Sequence, residues 1–144
     1  MVVRTLATGL AVIHDGQPIG IQELSATRFA VRRVVETGSW LGRDLQGRGL
    51  GTEMRAATLH LAFEGLGATT AVSGAMDDNE ASRRVSEKLG YVPNGESVAA
   101  PRGVPVREQH YLLRREDWRA DRYPTTIEGL DGCRSMFGLT STAS

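Results

Sequence analysis

Between Trp40 and Met54 the chain reads WLGRDLQGRGLGTEM, and this stretch constrains the fold more than any other. Gly42, Gly47, Gly49 and Gly51 separate a β-branched run ending at Trp40 and Leu41 from a segment with helical periodicity. In that segment Leu50, Met54, Ala57 and Leu61 form one stripe of an amphipathic helix. A strand that enters a helix through a glycine loop presents converging backbone N–H groups and the positive end of the helix dipole together. Glycines keep side chains out of that concavity, and Arg43 and Arg48 stand at its rim. The loop therefore reads as a nest for a pyrophosphate, with a plain glycine-rich turn as the alternative.

Two common phosphate-loop patterns do not fit. A dinucleotide fingerprint beginning at Gly47 and Gly49 meets Thr52 where its third glycine belongs, and no βαβ unit with a ribose-binding acid follows. A Walker loop beginning at Gly42 reaches Gly47 correctly, then offers Arg48 and Gly49 where Lys and Ser or Thr are needed.

The rest of the chain supplies strands on both sides of this loop. Asp15-Gly16 is a hairpin turn signal between two apolar runs, predicting strands over 9–14 and 18–24. A third strand is expected within 29–42, interrupted at Gly38 by a bulge or a close backbone approach. Gly65 and Gly67 end the helix, and Ala68 to Met76 suits a buried strand. Asp77, Asp78 and Asn79 are N-cap types for a second helix, with Lys88 in its last turn and Gly90 at its end. Two closing strands are expected in 91–100 and 104–118, then a wrapping tail that frays at TSTAS. The expected fold class is α/β (α+β): a mixed sheet with helices against it.

Gln46, Gly49 and Gly51 occupy the defining places of a Q/R-x-x-G-x-G/A signature. GSWL at 38–41, QGRGLGTE at 46–53, and Asn79-Glu80-Ala81-Ser82 running to Glu87-Lys88-Leu89-Gly90-Tyr91 follow in order. On these three matches the chain resembles the GNAT superfamily of acyl-CoA-dependent N-acyltransferases, over about Gly9 to Trp118. It is most similar to the branch that acetylates ribosomal-protein N-termini.

The resemblance implies a mostly antiparallel sheet in which two parallel strands, ending near Trp40 and Ala75, splay apart to take acetyl-CoA. Ser39, Trp40 and Leu41 would pair with its pantetheine arm as an added strand would. Gln46, Gly47, Arg48, Gly49, Leu50, Gly51 and Thr52 would hold the diphosphate, while Asn79 and Ser82 would line the remaining side. An amine would attack the thioester directly, with both reactants bound and a backbone N–H near the splay meeting the oxyanion. Ser82 is the implied donor to the departing thiolate, and Tyr91 serves as proton donor in other branches. Glu36 is the first candidate for removing the amine proton, with Glu23 and His14 in reserve. For Glu36 a solvated strand carboxylate is the plain alternative, for Asn79 and Ser82 helix capping, and for Tyr91 the core.

Other features narrow the partners. The 17 basic and 17 acidic residues balance, which argues against nucleic acid and an anionic membrane surface as partners. No apolar run has the length of a membrane span, and no signal peptide is legible. The single cysteine, Cys133, reads as a free thiol in a reducing cytoplasm. His14, His60 and His110 lack metal-ligand spacing, so no metal is expected. Arg83, Arg84 and Lys88 either meet CoA phosphates or form a solvated helix face.

The family places a strand and two helices before the hairpin, whereas eight residues precede Gly9. The expectation is therefore a transferase domain over 1–118, truncated at its N-terminus, with a tail over 119–144; the other reading is a start site upstream of Met1. A bare apolar sheet face would favour pairing as a homodimer. A CoA-binding but catalytically silent module is the alternative function, and an unrelated nucleotide-binding module fits least.

Overall fold

The computed structural model describes residues 2–6 by their backbone and residues 9–139 in full. Residues 140–144, where fraying was expected, lie outside that description. The first strands are β1 (Val2–Leu6), β2 (Gly9–His14) and β3 (Gln17–Ser25), followed by the short helix α1 (Phe29–Arg32). Next come β4 (Val34–Leu41), the helix α2 (Leu50–His60), β5 (Thr70–Met76) and the helix α3 (Glu80–Lys88). The chain closes with β6 (Val92–Ala99), β7 (Val106–Arg114) and α4 (Leu130–Met136). The strands form one seven-stranded sheet in the order β1-β2-β3-β4-β5-β7-β6. Among its pairings, β4 with β5 is parallel and the others are antiparallel. The result is the mixed α/β architecture expected.

Local chemistry explains most elements. Asp15 at φ 51° and Gly16 at φ 76° give the β2–β3 hairpin two consecutive positive φ values, a combination Asp-Gly adopts readily. The helix α2 passes directly into a π-helical turn, Leu61–Gly65. Its buried face is wider than the expected stripe: Met54, Ala56, Leu59, Ala62 and Phe63 are fully enclosed, whereas Ala57 and Leu61 are only half-buried. Val35, Ala71, Ala75, Tyr111 and Leu113 meet this face from the sheet. A second cluster of Val12, Ile19, Leu50 and Met54 lies beneath the start of α2. Each Val, Leu, Ile, Met or Phe among them contributes about 1.5–3 kcal/mol on burial.

Two expectations for the third strand need correction. The strand begins at Val34; residues 29–32, read from their β-branched character as strand, form α1. Arg28 at φ 51° and Arg33 at φ 55° bracket that turn in left-handed conformations. Burial of Phe29 against the edge of the Phe137 ring, with centroids 5.5 Å apart, overrides the local β propensity. Gly38, expected as a bulge or a close backbone approach, is neither: the β3–β4 register runs through Glu23↔Gly38 unbroken, and the Glu23 side chain, not a backbone, lies over it. The Glu23 carboxylate lies 3.3 Å from the place a Cβ would occupy.

The tail packs on the same core. Trp118 stacks on Tyr123 at 5.9 Å, and Leu139 is buried with Leu130 and Phe137 beside it.

Candidate active site

The β4–β5 ladder is short. It joins Val34 to Thr70, Val35 to Ala71 and Glu36 to Val72, and stops there, although β4 runs on to Leu41 and β5 to Met76. Beyond Glu36 and Val72 the two parallel strands diverge, leaving backbone groups of each without the other as partner. At the apex Thr37 Oγ1 donates to the Val72 carbonyl at 3.3 Å. Below it the Tyr91 hydroxyl meets Thr37 Oγ1 at 2.9 Å, enclosed in the core.

Side-chain alternation gives the gap two different faces. Thr37, Ser39 and Leu41 belong to the face that meets α2, where Ser39 Oγ accepts from Arg55 Nε at 2.7 Å and donates to Gln22 Oε1 at 2.8 Å. Glu36, Gly38 and Trp40 belong to the opposite face, on which Trp40 is 64% exposed. Glu23 lies over Gly38 there, and the Glu108 side chain folds over Gly74 into space any larger residue would need. Carboxylates from β3, β4 and β7 thus border the outer side of the gap.

The glycine loop closes the far end. Gly47 at φ 78° and Gly49 at φ 80° require the left-handed region that glycine enters freely, and nothing lies within 4 Å of a Cβ at either. Gly49 is the N-cap of α2 and no side chain caps that end. The first helical hydrogen bond runs from Glu53 N to Gly49 O, so the N–H groups of Leu50, Gly51 and Thr52 precede the intrahelical ladder. Gln46 Nε2 donates to the Leu41 carbonyl at 3.2 Å and ties the loop to the end of β4. Arg43 and Arg48 are exposed beside it.

The start of α3 faces the open end of β5. Asn79 caps this helix, its side chain accepting from Ser82 N at 3.2 Å, so the capping role is realised. Ser82 is half-buried, and its hydroxyl has no protein hydrogen bond among the described residues. Arg84 pairs with Glu80 at 2.7 Å on the exposed face. His14 ends β2 beside Asp15 at the hairpin, two strands from β4, and is not brought to the gap.

Three features escaped sequence reasoning. Arg55, Ser73 and Gln22 form a buried polar strip under the gap; a charged residue on a helix carries no signal of burial. Glu108 reaches the gap only through the β5–β7 pairing. A cleft of about 1190 Å³ runs from Arg48, Gly49 and Thr52 past Lys88 to Arg122 and Cys133, placing three cations around the glycine loop's side of α2.

The uncapped helix start, the open left-handed glycines and the splayed strands fit a long ligand with an anionic diphosphate and an arm rich in amides. The model of the acetyltransferase (GNAT) domain matches residues 4–92. YdaF of Bacillus subtilis (strain 168), provisionally named a ribosomal N-acetyltransferase, is 28% identical over 116 residues, 77% of this chain and 61% of that protein. A crystal structure described as a probable acetyltransferase superposes with a TM-score of 0.71 at 26% identity, covering 76% of this chain and 63% of that one. The ribosomal-protein-S5-alanine acetyltransferase from Vibrio fischeri shares the fold with a TM-score of 0.67 at 22% identity, covering 77% of this chain and 62% of that one. The chain thus spans less than two thirds of the length of these relatives.

Proposed function

Because this chain belongs to the GNAT acetyltransferase family, we propose that it transfers an acetyl group from acetyl-CoA to a primary amine by direct attack in a ternary complex. The observation that carries this reading is the β4–β5 ladder that ends at Glu36↔Val72 while both strands continue.

When bound, acetyl-CoA supplies an activated acyl thioester. The residues to hold it are Ser39, Trp40 and Leu41 through their backbone along β4, and Gln46, Gly47, Arg48, Gly49, Leu50, Gly51 and Thr52 around the diphosphate. Arg48 and Lys88 add positive charge on the cleft side, and Asn79 with Ser82 forms the wall across from β4. Ser82, with its hydroxyl uncommitted among the described residues, is the donor toward the leaving sulfur. Tyr91 holds Thr37 at the apex and stands second for that donor role. Glu36 is exposed on the outer face and removes the proton of an amine arriving there, with Glu23 beside it. Carboxylates on that face favour a cationic acceptor, a protein N-terminus or a small-molecule amine.

Thermal shift with CoA, ATP and NAD tests ligand class, because only a ligand favouring the folded state raises the transition temperature. Stabilisation by CoA alone supports the reading, and stabilisation by ATP or NAD alone contradicts it. Release of free thiol from acetyl-CoA with a panel of amines then separates an active transferase from a CoA-binding module without turnover. The buried, bonded Tyr91 hydroxyl is the observation that keeps the second form in play.

A further inference from the structure

Arg55 is 1% exposed, yet its hydrogen bonds among the described residues go to hydroxyls and none of the ion pairs includes it. A guanidinium enclosed to that degree ordinarily meets a carboxylate, since burying an unpaired charge is costly. Here Nε donates to Ser39 Oγ at 2.7 Å and Nη1 to Ser73 Oγ at 3.3 Å, while the Tyr91 ring lies 5.9 Å from the guanidinium carbon. Ser39 belongs to β4 and Ser73 to β5, and both lie past the last paired residues, Glu36 and Val72. Past the backbone ladder and the Thr37–Val72 bond at its apex, one planar side chain from α2 links the two strands.

We propose that Arg55 is a positioning residue, a fixed spacer that sets the width of the β4–β5 gap. The inference rests on the reading that this gap takes CoA. Its geometry follows from the guanidinium: a rigid fork donates in two fixed directions, so each strand is held at a defined place relative to α2 and to the other. Ser39 passes the constraint to β3 through Gln22, which is fully buried. The same helix begins at the glycine loop, so one element aligns both the loop and the gap. Among the described residues no carboxylate pairs with this charge, which leaves positive potential beneath the place where an acyl-transfer site must accept negative charge.

The test compares wild type with Arg55→Met, which keeps length and bulk but neither donors nor charge, and with Arg55→Lys. Calorimetric titration with CoA is read alongside hydrogen exchange of the gap-facing amides in 37–41 and 73–76. For Arg55→Met the expected result is about tenfold weaker CoA binding and altered exchange confined to those amides, with partial recovery in Arg55→Lys. Wild-type affinity with unchanged exchange overturns the proposal; so does weaker binding with unchanged exchange, which a lost charge alone explains. Should Arg55→Met not fold, Ser73→Ala removes only the β5 anchor: a smaller shift in the same amides supports the spacer, and an unaltered pattern overturns it. No heat from wild type with CoA would defeat the functional reading, and the exchange comparison would still decide whether Arg55 sets the gap.

Discussion

Ser82 and Tyr91 are the two candidates proposed for one chemical need, and their surroundings differ. Ser82 sits in the first turn of α3 with its amide fixed by Asn79, and its hydroxyl has no protein partner among the described residues. Tyr91 is 4% exposed, with its hydroxyl spent on Thr37. Ser82→Ala should therefore lower kcat about tenfold or more, as loss of one positioned donor does, while leaving the transition temperature unchanged; an unaltered kcat removes Ser82 from the chemistry. Tyr91→Phe should lower stability by about 1 kcal/mol, read from a urea midpoint, because it removes one of the two hydrogen bonds of the buried Thr37 hydroxyl; a lower kcat at unchanged stability would instead place Tyr91 in the proton transfer. The bond from the Ser82 amide to the Asn79 cap was legible in the N-x-x-S spacing. Arg55 was not, because local spacing treats an arginine on a helix as solvated, and its burial depends on strands distant in sequence.

The elements that carry the account are the loop before α2 and the cap of α3. Gly49 occupies φ 80° in open space, so Gly49→Ala adds strain without a clash. It should cost about 1 kcal/mol in stability and weaken CoA binding beyond that, because the amides after it lose their aim. A variant with lowered stability and wild-type affinity would show that the loop does not grip the diphosphate. Asn79→Ala should destabilise by about 1 kcal/mol through loss of the cap, measurable by chemical denaturation. At this scale the sequence was most legible where a turn or cap has a short-range cause: Asp15-Gly16 at the hairpin, glycines before α2, Asn79 before α3. It was least legible at Phe29–Arg32, where a buried ring and two left-handed arginines impose a helical turn on residues with strand character. The Glu36↔Val72 limit of the parallel ladder has no local signature either; it was expected only through likeness to a family.

For the whole molecule, the tail and the glycine loop are joined through α2. Gly65, at the end of its π-helical turn, is packed so closely by Ile127 and Leu130 that a Cβ there would stand 3.1 Å from each. Deleting residues 119–144 should strip Tyr123, Phe137 and Leu139 from the core and lower the transition temperature by several degrees at least, since each buried apolar side chain contributes about 1.5–3 kcal/mol. An unchanged transition would make the tail a separate appendage. The outer face of the sheet carries Ile21 and Trp40 directly across from each other at 44% and 64% exposure, beside the carboxylates of Glu23 and Glu36. The proposed cofactor path runs from the backbone of β4 to the uncapped start of α2. Isothermal titration of the folded chain with CoA tests that path most directly. Saturable heat at one site per chain, reduced in Gly49→Ala, is the predicted result; absence of heat from protein that unfolds cooperatively on warming would contradict it.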